Sequence, residues 1–288
     1  MIWHDLRDPN DPKLDELAEK YQIHPLHIED CRHRKQNAKI EFTSNYVFSV
    51  IKPVQIQQEC IIEASDLDVF VGPDYIITVQ ESECQPVSDF LSSLHGAELK
   101  SSSGELFHKI FDGVVDLYNP VADTLSERID VLERQALQTP QSATIEALFE
   151  LRRALIELRR ILANSRDVLG HLLRTEHAFL PTSLYPFWRD VYDHVARALD
   201  VVEVQRDLVT GATELYLTSV ANQTNQVMKV LTVFGTVATP ALIITGLYGM
   251  NVSNLPYAES PHAWGIVMTI IAVVSGLMLL LFRIMRWL

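Results

Sequence analysis

Residues 230–251 read VLTVFGTVATPALIITGLYGMN, and this stretch decides the fold of the chain. Residues 230–247 contain no charged side chain, and a second uncharged stretch follows at 265–282. A bilayer core of roughly 30 Å needs about 20 helical residues, so each stretch can span it together with its flanks. A buried hairpin in a soluble core is the alternative, but two runs with so little polarity rarely end a globular domain. The sequence therefore predicts two C-terminal transmembrane helices.

Basic residues around the two predicted spans indicate their orientation. Lys229 precedes the first span, and Arg283 and Arg286 lie in the tail, 283–288, after the second. The connection, 248–263, contains neither Lys nor Arg. Basic residues favour the cytoplasmic side of a membrane. We therefore expect the chain to lie in a bacterial-type inner or plasma membrane with both termini in the cytoplasm.

The remainder of the chain is acidic and free of cysteine motifs. All but three of the Lys, Arg, Asp and Glu residues lie before residue 230, and the net charge is −13. Nucleic-acid binding needs a basic surface, so nucleic acid is not an expected partner. An odd number of cysteines without a CxxC motif argues against disulfides and favours a reducing compartment. The N-terminus has no apolar segment typical of a signal peptide.

Helix and strand patterns divide this acidic part. Residues 1–100 combine a short helix with three segments rich in Val, Ile, Phe and Tyr, which predicts a cytoplasmic α/β domain. Residues 103–180 have a helical pattern broken by a linker at 138–141, which predicts an antiparallel helical pair. Its arginine-rich faces are typical of solvated, ion-paired helices. From Tyr185 to Leu247 no loop signal interrupts the pattern, which predicts one helix of about 95 Å that contains the first span.

This long helix carries two stripes. Apolar residues recur at spacings of three and four, as in a coiled-coil seam: Val191, Val195, Ala198, Val202, Gln205, Val209, Ala212, Tyr216 and Ser219. A small domain alone cannot cover so long a helix, so we expect other copies of the chain to pack on it. Nearer the membrane a small and polar stripe follows: Asn225, Met228, Thr232, Gly235, Thr239, Leu242, Gly246 and Gly249. Such a stripe indicates either tight helix packing or a pore lining, and the amides at its start favour the pore.

Four segments resemble the CorA family of divalent-cation transporters. These are YGMN at 248–251, NQTNQVMKVLT at 222–232, RDVYDH at 189–194, and His24-Pro25-Leu26 with Glu29-Asp30. The YGMN motif at the outer end of the penultimate span is a specific signal. The resemblance covers essentially the whole chain. It implies an αβα domain, long stalk helices and a homopentameric funnel whose first span lines a pore.

The resemblance also implies which residues meet the cation. Asn251 and the backbone near Gly249 would form an outer ring, and Asn225 an inner one. Carboxamide oxygens suit a hydrated Mg²⁺ ion, because that ion gives up its waters reluctantly. Leu231 and Met228 would form an apolar constriction.

Asp190 would belong to a regulatory cation site between subunits. Its partner carboxylate stays open among Glu81, Glu83 and Asp89.

Several positions depart from the magnesium branch of the family. Thr239 and Leu242 occupy gate positions where a large apolar residue and a hydroxyl, respectively, are usual. Residues 252–256 lack the acid expected near the mouth and are closer to loops of the zinc-transporting branch. The expected transported ion is therefore Mg²⁺, with Co²⁺ or Ni²⁺ tolerated, and the alternative is Zn²⁺, with or without coupling to protons.

The remaining candidates are weaker. His24, His27, Cys31 and His33 are zinc-ligand types, but their spacing fits no tetrahedral set on one helix face. His262 is a single histidine in the connection. No nucleophile–base pair, phosphate loop or paired-carboxylate motif indicates an enzyme or a small-molecule substrate other than metal ions. A membrane-anchored scaffold would need neither the polar stripe nor the GMN motif.

Overall fold

The computed structural model describes residues 1–33, 36–57, 60–93, 101–250, 255–256 and 260–287. The chain divides into two compact units, Met1–Tyr216 and Leu217–Leu288. The strands are β1 Ile2–Leu6, β2 Lys39–Phe42, β3 Val47–Ile51, β4 Val54–Gln57, β5 Ile61–Ala64, β6 Leu67–Val71 and β7 Tyr75–Gln80. The helices are α1 Lys13–Tyr21, α2 Pro25–Arg32, α3 Gln85–Ser93, α4 Ser103–Asp116, α5 Tyr118–Gln138, α6 Ser142–Leu172, α7 Tyr185–Tyr248 and α8 Ala263–Ile284.

The first unit is built on a five-stranded sheet of order β1-β7-β6-β3-β2. β1 pairs in parallel with β7, and the other neighbours are antiparallel. Every residue of β3, β6 and β7 is buried, so both faces of the sheet are covered. β4 and β5 form a separate hairpin.

Side chains that alternate along the strands supply two hydrophobic cores, one on each face. Phe48, Phe70 and Ile77 pack with α1 and α2 on one face. Val47 and Val69 pack with α4, α5, α6 and α7 on the other. The first unit is therefore an αβα sandwich, as the family resemblance implies.

The helices after the sheet differ in one respect from the predicted pair. The first predicted helix is two helices, α4 and α5, which meet at Leu117. α4 begins with a capping box in which Ser102 and Glu105 each accept from the other's backbone N–H. The Tyr118 hydroxyl at the start of α5 lies 3.1 Å from the Lys52 carbonyl and 3.2 Å from the Ser165 hydroxyl, which ties the sheet to α5 and α6.

The apolar seam of α7 is covered by the chain itself. Its members from Val191 to Ala212 are buried in the core formed with α4, α5 and α6. Gln205 donates to the Ala122 carbonyl on α5 at 2.8 Å. Three helices of the same chain therefore cover this seam, and the expectation that other copies pack on the long helix stays a prediction for its other faces.

The described residues of the first unit leave a second apolar face of α7 uncovered. It consists of Val201, Val204, Leu208 and Leu215, which are 47%, 61%, 47% and 37% exposed. We call these four residues the open face of α7.

The second unit contains the rest of α7 and α8. Both are long and apolar enough to cross a membrane, with mean hydropathies of 1.9 and 2.6 over their best segments. They pack on each other: Val233 is 9% exposed, and the Ser275 hydroxyl donates to the Val237 carbonyl at 3.4 Å. Pro240 lies within α7 without ending it.

Candidate functional site

The polar stripe lies on a part of α7 that α8 leaves uncovered. Asn225, Thr232, Gly235, Thr239 and the other members of the stripe are all exposed. In contrast, positions on the α8 side of the helix, such as Val233 and Val237, are buried or half-buried. The stripe is therefore free to line a path or to meet another helix.

Two threonine hydroxyls of the stripe donate hydrogen bonds to backbone carbonyls of α7. Thr232 donates to the Met228 carbonyl at 2.7 Å, and Thr239 donates to the Gly235 carbonyl at 2.6 Å. A hydroxyl has one proton and two acceptor lone pairs. These two side chains therefore present only acceptors to a neighbour, which suits the polarised water of a hydrated cation.

The three apolar gate candidates are also exposed on this part of α7. Met228 is 55%, Leu231 63% and Leu242 69% exposed. A single copy forms no constriction with them, so their role depends on other copies of the chain.

The outer motif begins where α7 ends. α7 ends at Tyr248, whose hydroxyl donates to the Pro256 carbonyl at 2.9 Å. The Gly249 N–H donates to the Thr245 carbonyl at 2.9 Å, and a Cβ at Gly249 would lie 3.1 Å from that same oxygen. A side chain would crowd this closing turn, which explains the glycine. Asn251 lies outside the described residues.

A carboxylate cluster lies between α4 and α7 in the first unit. Asp112, Asp116 and His194 can each offer one ligand atom, and these atoms lie within 4.8 Å of one another. His194 Nε2 is 3.8 Å from Asp190 Oδ2 one turn earlier on α7. Burial raises the pKa of Asp112, and the charge of Asp116 raises it further. Two close carboxylates that repel one another are a suitable site for a cation.

Asp190 is the one residue of this cluster that the family resemblance implies, and Asp112, Asp116 and His194 were not predicted. The carboxylates offered as partners of Asp190 have other contacts in the chain. Glu81 accepts from the Asp66 N–H, Glu83 from the Ser88 hydroxyl, and Asp89 from Gln85. The i, i+4 spacing of Asp112 and Asp116 on α4 was the only available sequence signal, since His194 is far away in the chain.

The histidines and cysteine of α2 form no metal group among the described residues. His24 caps α2 by accepting from the Leu26 N–H, and His27 contacts the Tyr46 hydroxyl and the Glu41 carboxylate. Burial raises the pKa of the Cys31 thiol, which disfavours the thiolate that metals bind.

Comparisons with known proteins agree with this architecture. A family model described as CorA-like Mg²⁺ transporter protein matches residues 1–284. The cobalt/magnesium transport protein CorA of Thermotoga maritima is 32% identical over 276 residues, which cover 94% of this chain and 79% of that protein.

Two solved structures share the fold. One is described as the complete CorA magnesium transporter of Methanocaldococcus jannaschii; it has a TM-score of 0.88 at 22% identity and covers 99% of this chain and 91% of its own. The other is the ZntB cytoplasmic domain of Vibrio parahaemolyticus, with a TM-score of 0.65 at 12% identity, covering 76% of this chain and 88% of its own.

The family model spans nearly the whole chain, and the exposed polar stripe lies on α7, which contains the first of the two candidate membrane spans. The protein therefore belongs to the CorA family of Mg²⁺ transporters, and it is a membrane transporter of divalent cations rather than an enzyme.

Proposed function

We propose that this chain forms a homopentamer whose first span lines a pore for hydrated Mg²⁺. The observation that carries the proposal is the exposed stripe of α7, in which Thr232 and Thr239 offer only acceptor oxygens. In a ring of copies this stripe would surround a common axis. Mg²⁺ dehydrates reluctantly, so a wall that accepts hydrogen bonds from its waters suits it better than direct ligands.

Each end of the pore would carry a ring of amides. Asn251, with the backbone carbonyls near Gly249, would form the outer ring, and Asn225 the inner ring. Neutral amides attract a hydrated cation without holding it as tightly as carboxylates would. Met228 and Leu231 would form the apolar constriction that closes the path by excluding water.

Thr239 and Leu242 would line the pore beyond that constriction, as further gate positions.

The cluster on α4 and α7 would be the regulatory site. Asp112, Asp116 and Asp190, with His194, would hold a cation when its concentration in the cytoplasm is high, and so keep the ring closed. The oxygen-rich donor set suits Mg²⁺, and the single imidazole also suits Co²⁺. Loss of the ion would leave close carboxylates that repel one another and favour movement of α7 relative to α4.

The orientation proposed for the chain places both termini in the cytoplasm, with membrane lipid around the two spans. The supporting observation is the position of the basic residues. Lys229 precedes the first span, and Arg283 and Arg286 follow the second, whereas the connection contains neither Lys nor Arg.

Zn²⁺ is the alternative cargo. The sequence of residues 252–256, which lack an acid, favours it, whereas the name of the Thermotoga maritima relative favours Mg²⁺ or Co²⁺. The likeness to the ZntB domain bears on the fold alone. The zinc alternative includes coupling to protons, so the test compares uptake with and without a pH gradient.

Flux into liposomes tests the proposal. We expect the full chain to take up Mg²⁺. Asn251→Ala should lower this uptake roughly tenfold, because it removes the amide that accepts a hydrogen bond from the water shell of the cation. Asn225→Ala should act in the same direction, whereas Gln226→Ala, which lies off the stripe, should not. Uptake of Zn²⁺ but not Mg²⁺, increased by a proton gradient, would select the alternative. No uptake of either ion, with Asn251→Ala unchanged, would instead indicate a membrane-anchored scaffold.

Inhibition of that flux tests the regulatory cluster. We expect Asp112→Asn and Asp190→Ala to raise the Mg²⁺ concentration for half-inhibition roughly tenfold, because each removes a charged ligand. Asp193→Ala, an exposed carboxylate on the same turns of α7, serves as the matched control. Unchanged inhibition in both cluster variants would remove the cluster from the mechanism while leaving the pore proposal intact.

A further inference from the structure

An apolar groove runs between α7 and α8 at the C-terminal end of α8. It has a volume of about 350 Å³ and is lined by Val230, Val233, Phe234, Val237, Ala238, Leu279 and Trp287. All of its lining residues are apolar, and Phe234 remains 74% exposed. A groove of this lining accepts a hydrocarbon chain rather than a polar ligand.

A specific turn holds Trp287 at this groove. The Arg286 N–H donates to the Arg283 carbonyl at 3.1 Å, and the Trp287 N–H donates to the Phe282 carbonyl at 2.9 Å. These two bonds form a Schellman motif, in which the chain reverses after the helix. The motif also brings Trp287 onto Phe282, with ring centroids 5.8 Å apart.

The turn contains an arginine where glycine is usual. Arg286 has φ of 57°, a left-handed conformation that glycine adopts without a steric penalty. The chain thus keeps a guanidinium at this point despite the backbone strain. Such strain at a single position suggests that the side chain has a function.

The cations at this end of the unit have no acidic partner among the residues that the structure describes. Lys229, Arg283 and Arg286 are exposed, and none of them forms an ion pair with a described residue. Within residues 217–288 the sequence contains a single Asp or Glu, Glu259, which belongs to the connection at the other end of α8. These exposed cations are therefore available to an anionic partner at this end of the unit.

We propose that the groove binds one acyl chain of an anionic phospholipid and that Arg283 and Arg286 hold its phosphate. The same end of the unit offers an apolar slot and unpaired cations side by side, which is the chemistry of an acidic lipid. A second copy of this chain could cover the slot, but the corresponding end of that copy would bring further cations rather than anions. The proposal needs a membrane location and does not depend on which ion is transported.

Tryptophan quenching by brominated lipid tests this site in the full chain. Nanodiscs of phosphatidylcholine and phosphatidylglycerol would carry bromine on the acyl chains of one lipid or the other, at equal mole fraction. Trp264→Phe leaves Trp287 as the membrane reporter, and the double variant with Trp287→Phe gives the background from Trp3 and Trp188. We expect brominated phosphatidylglycerol to quench Trp287 with roughly tenfold preference over the zwitterionic lipid.

Arg286→Gly separates the lipid site from the fold. Glycine relieves the left-handed strain and preserves the turn, so Trp287 should stay in place while the preference for phosphatidylglycerol falls. Arg283→Gln should also lower the preference for phosphatidylglycerol, whereas Arg286→Lys and the distant Arg134→Gln should retain it.

Two outcomes would contradict the lipid site. Equal quenching by both lipids in the parent would mean that the groove makes only non-specific lipid contact. Absence of quenching by either lipid would mean that another copy of the chain covers the groove. Either result would overturn the proposal.

Discussion

Asp68 is a carboxylate in the central strand of the sheet, and its side chain is almost completely enclosed. The residue is 3% exposed, and its Oδ1 has no hydrogen-bond partner among the described residues. Burial raises the pKa of Asp68 to about 7, and the charge of Asp66 adds to the rise, while Cys31 and Lys52 oppose it. Lys52 forms a buried ion pair with Asp66, so its charge offsets the rise at Asp68 only in part.

The pKa of Asp68 predicts how stability depends on pH. Because the folded pKa is raised above the ordinary value of 3.8, the folded state holds the proton more tightly than the unfolded state. The resulting stability is complete below about pH 4 and is lost as the pH rises to about 7, with a ceiling of roughly 4 kcal/mol. Asp68→Asn should remove this loss, because the neutral amide keeps the shape without the buried charge.

Thermal unfolding of the full chain in detergent, from pH 4 to 8, measures the difference. We expect the melting temperature of Asp68→Asn relative to the parent to rise between pH 4 and 7 and to level off above that. Asp74→Asn, which changes an exposed carboxylate in the turn before β7, should run parallel to the parent. A constant offset for Asp68→Asn across the whole pH range would contradict the raised pKa.

At the scale of elements, the sequence predicts best where one pattern continues without interruption. The predicted helix from Tyr185 to Leu247 agrees closely with α7, since no turn signal breaks its periodicity and Pro240 is accommodated within the helix. β1 was missed, because five residues with two polar side chains resemble a loop. β1 is a strand because it pairs in parallel with β7, beginning with Ile2 opposite Tyr75. The two strands are far apart in the sequence, so this pairing cannot be predicted from the residues of β1 alone.

The same distinction applies to the candidate sites. The stripe of α7 could be predicted because all its members share one helix and one period. The cluster with His194 could not, because α4 and α7 come together only through the packed core that includes Phe107, Phe111 and Trp188. Local signals were also present but unused at α2, where His24 caps the helix and Pro25 occupies its first turn.

At the scale of the whole molecule, the open face of α7 is the surface that best fits assembly. The buried seam on the same helix is already covered within the chain. No helix that the structure describes in the first unit covers Val201, Val204, Leu208 and Leu215. Exposed apolar residues that recur along one helix face indicate a contact with another protein. In a pentamer this face would pack against the next subunit.

A charge placed on the open face should therefore break the proposed assembly. Val204→Glu combined with Leu208→Glu would bury two carboxylates without partners at each of the contacts between subunits, a cost of several kcal/mol per contact. Light scattering after size-exclusion chromatography should give five chains for the parent and fewer for the double variant. Leu137→Glu is the matched control, since it charges an apolar residue that is 61% exposed near the end of α5. If the double variant remained pentameric with an unchanged melting temperature, the subunits would have to meet through another surface of the molecule.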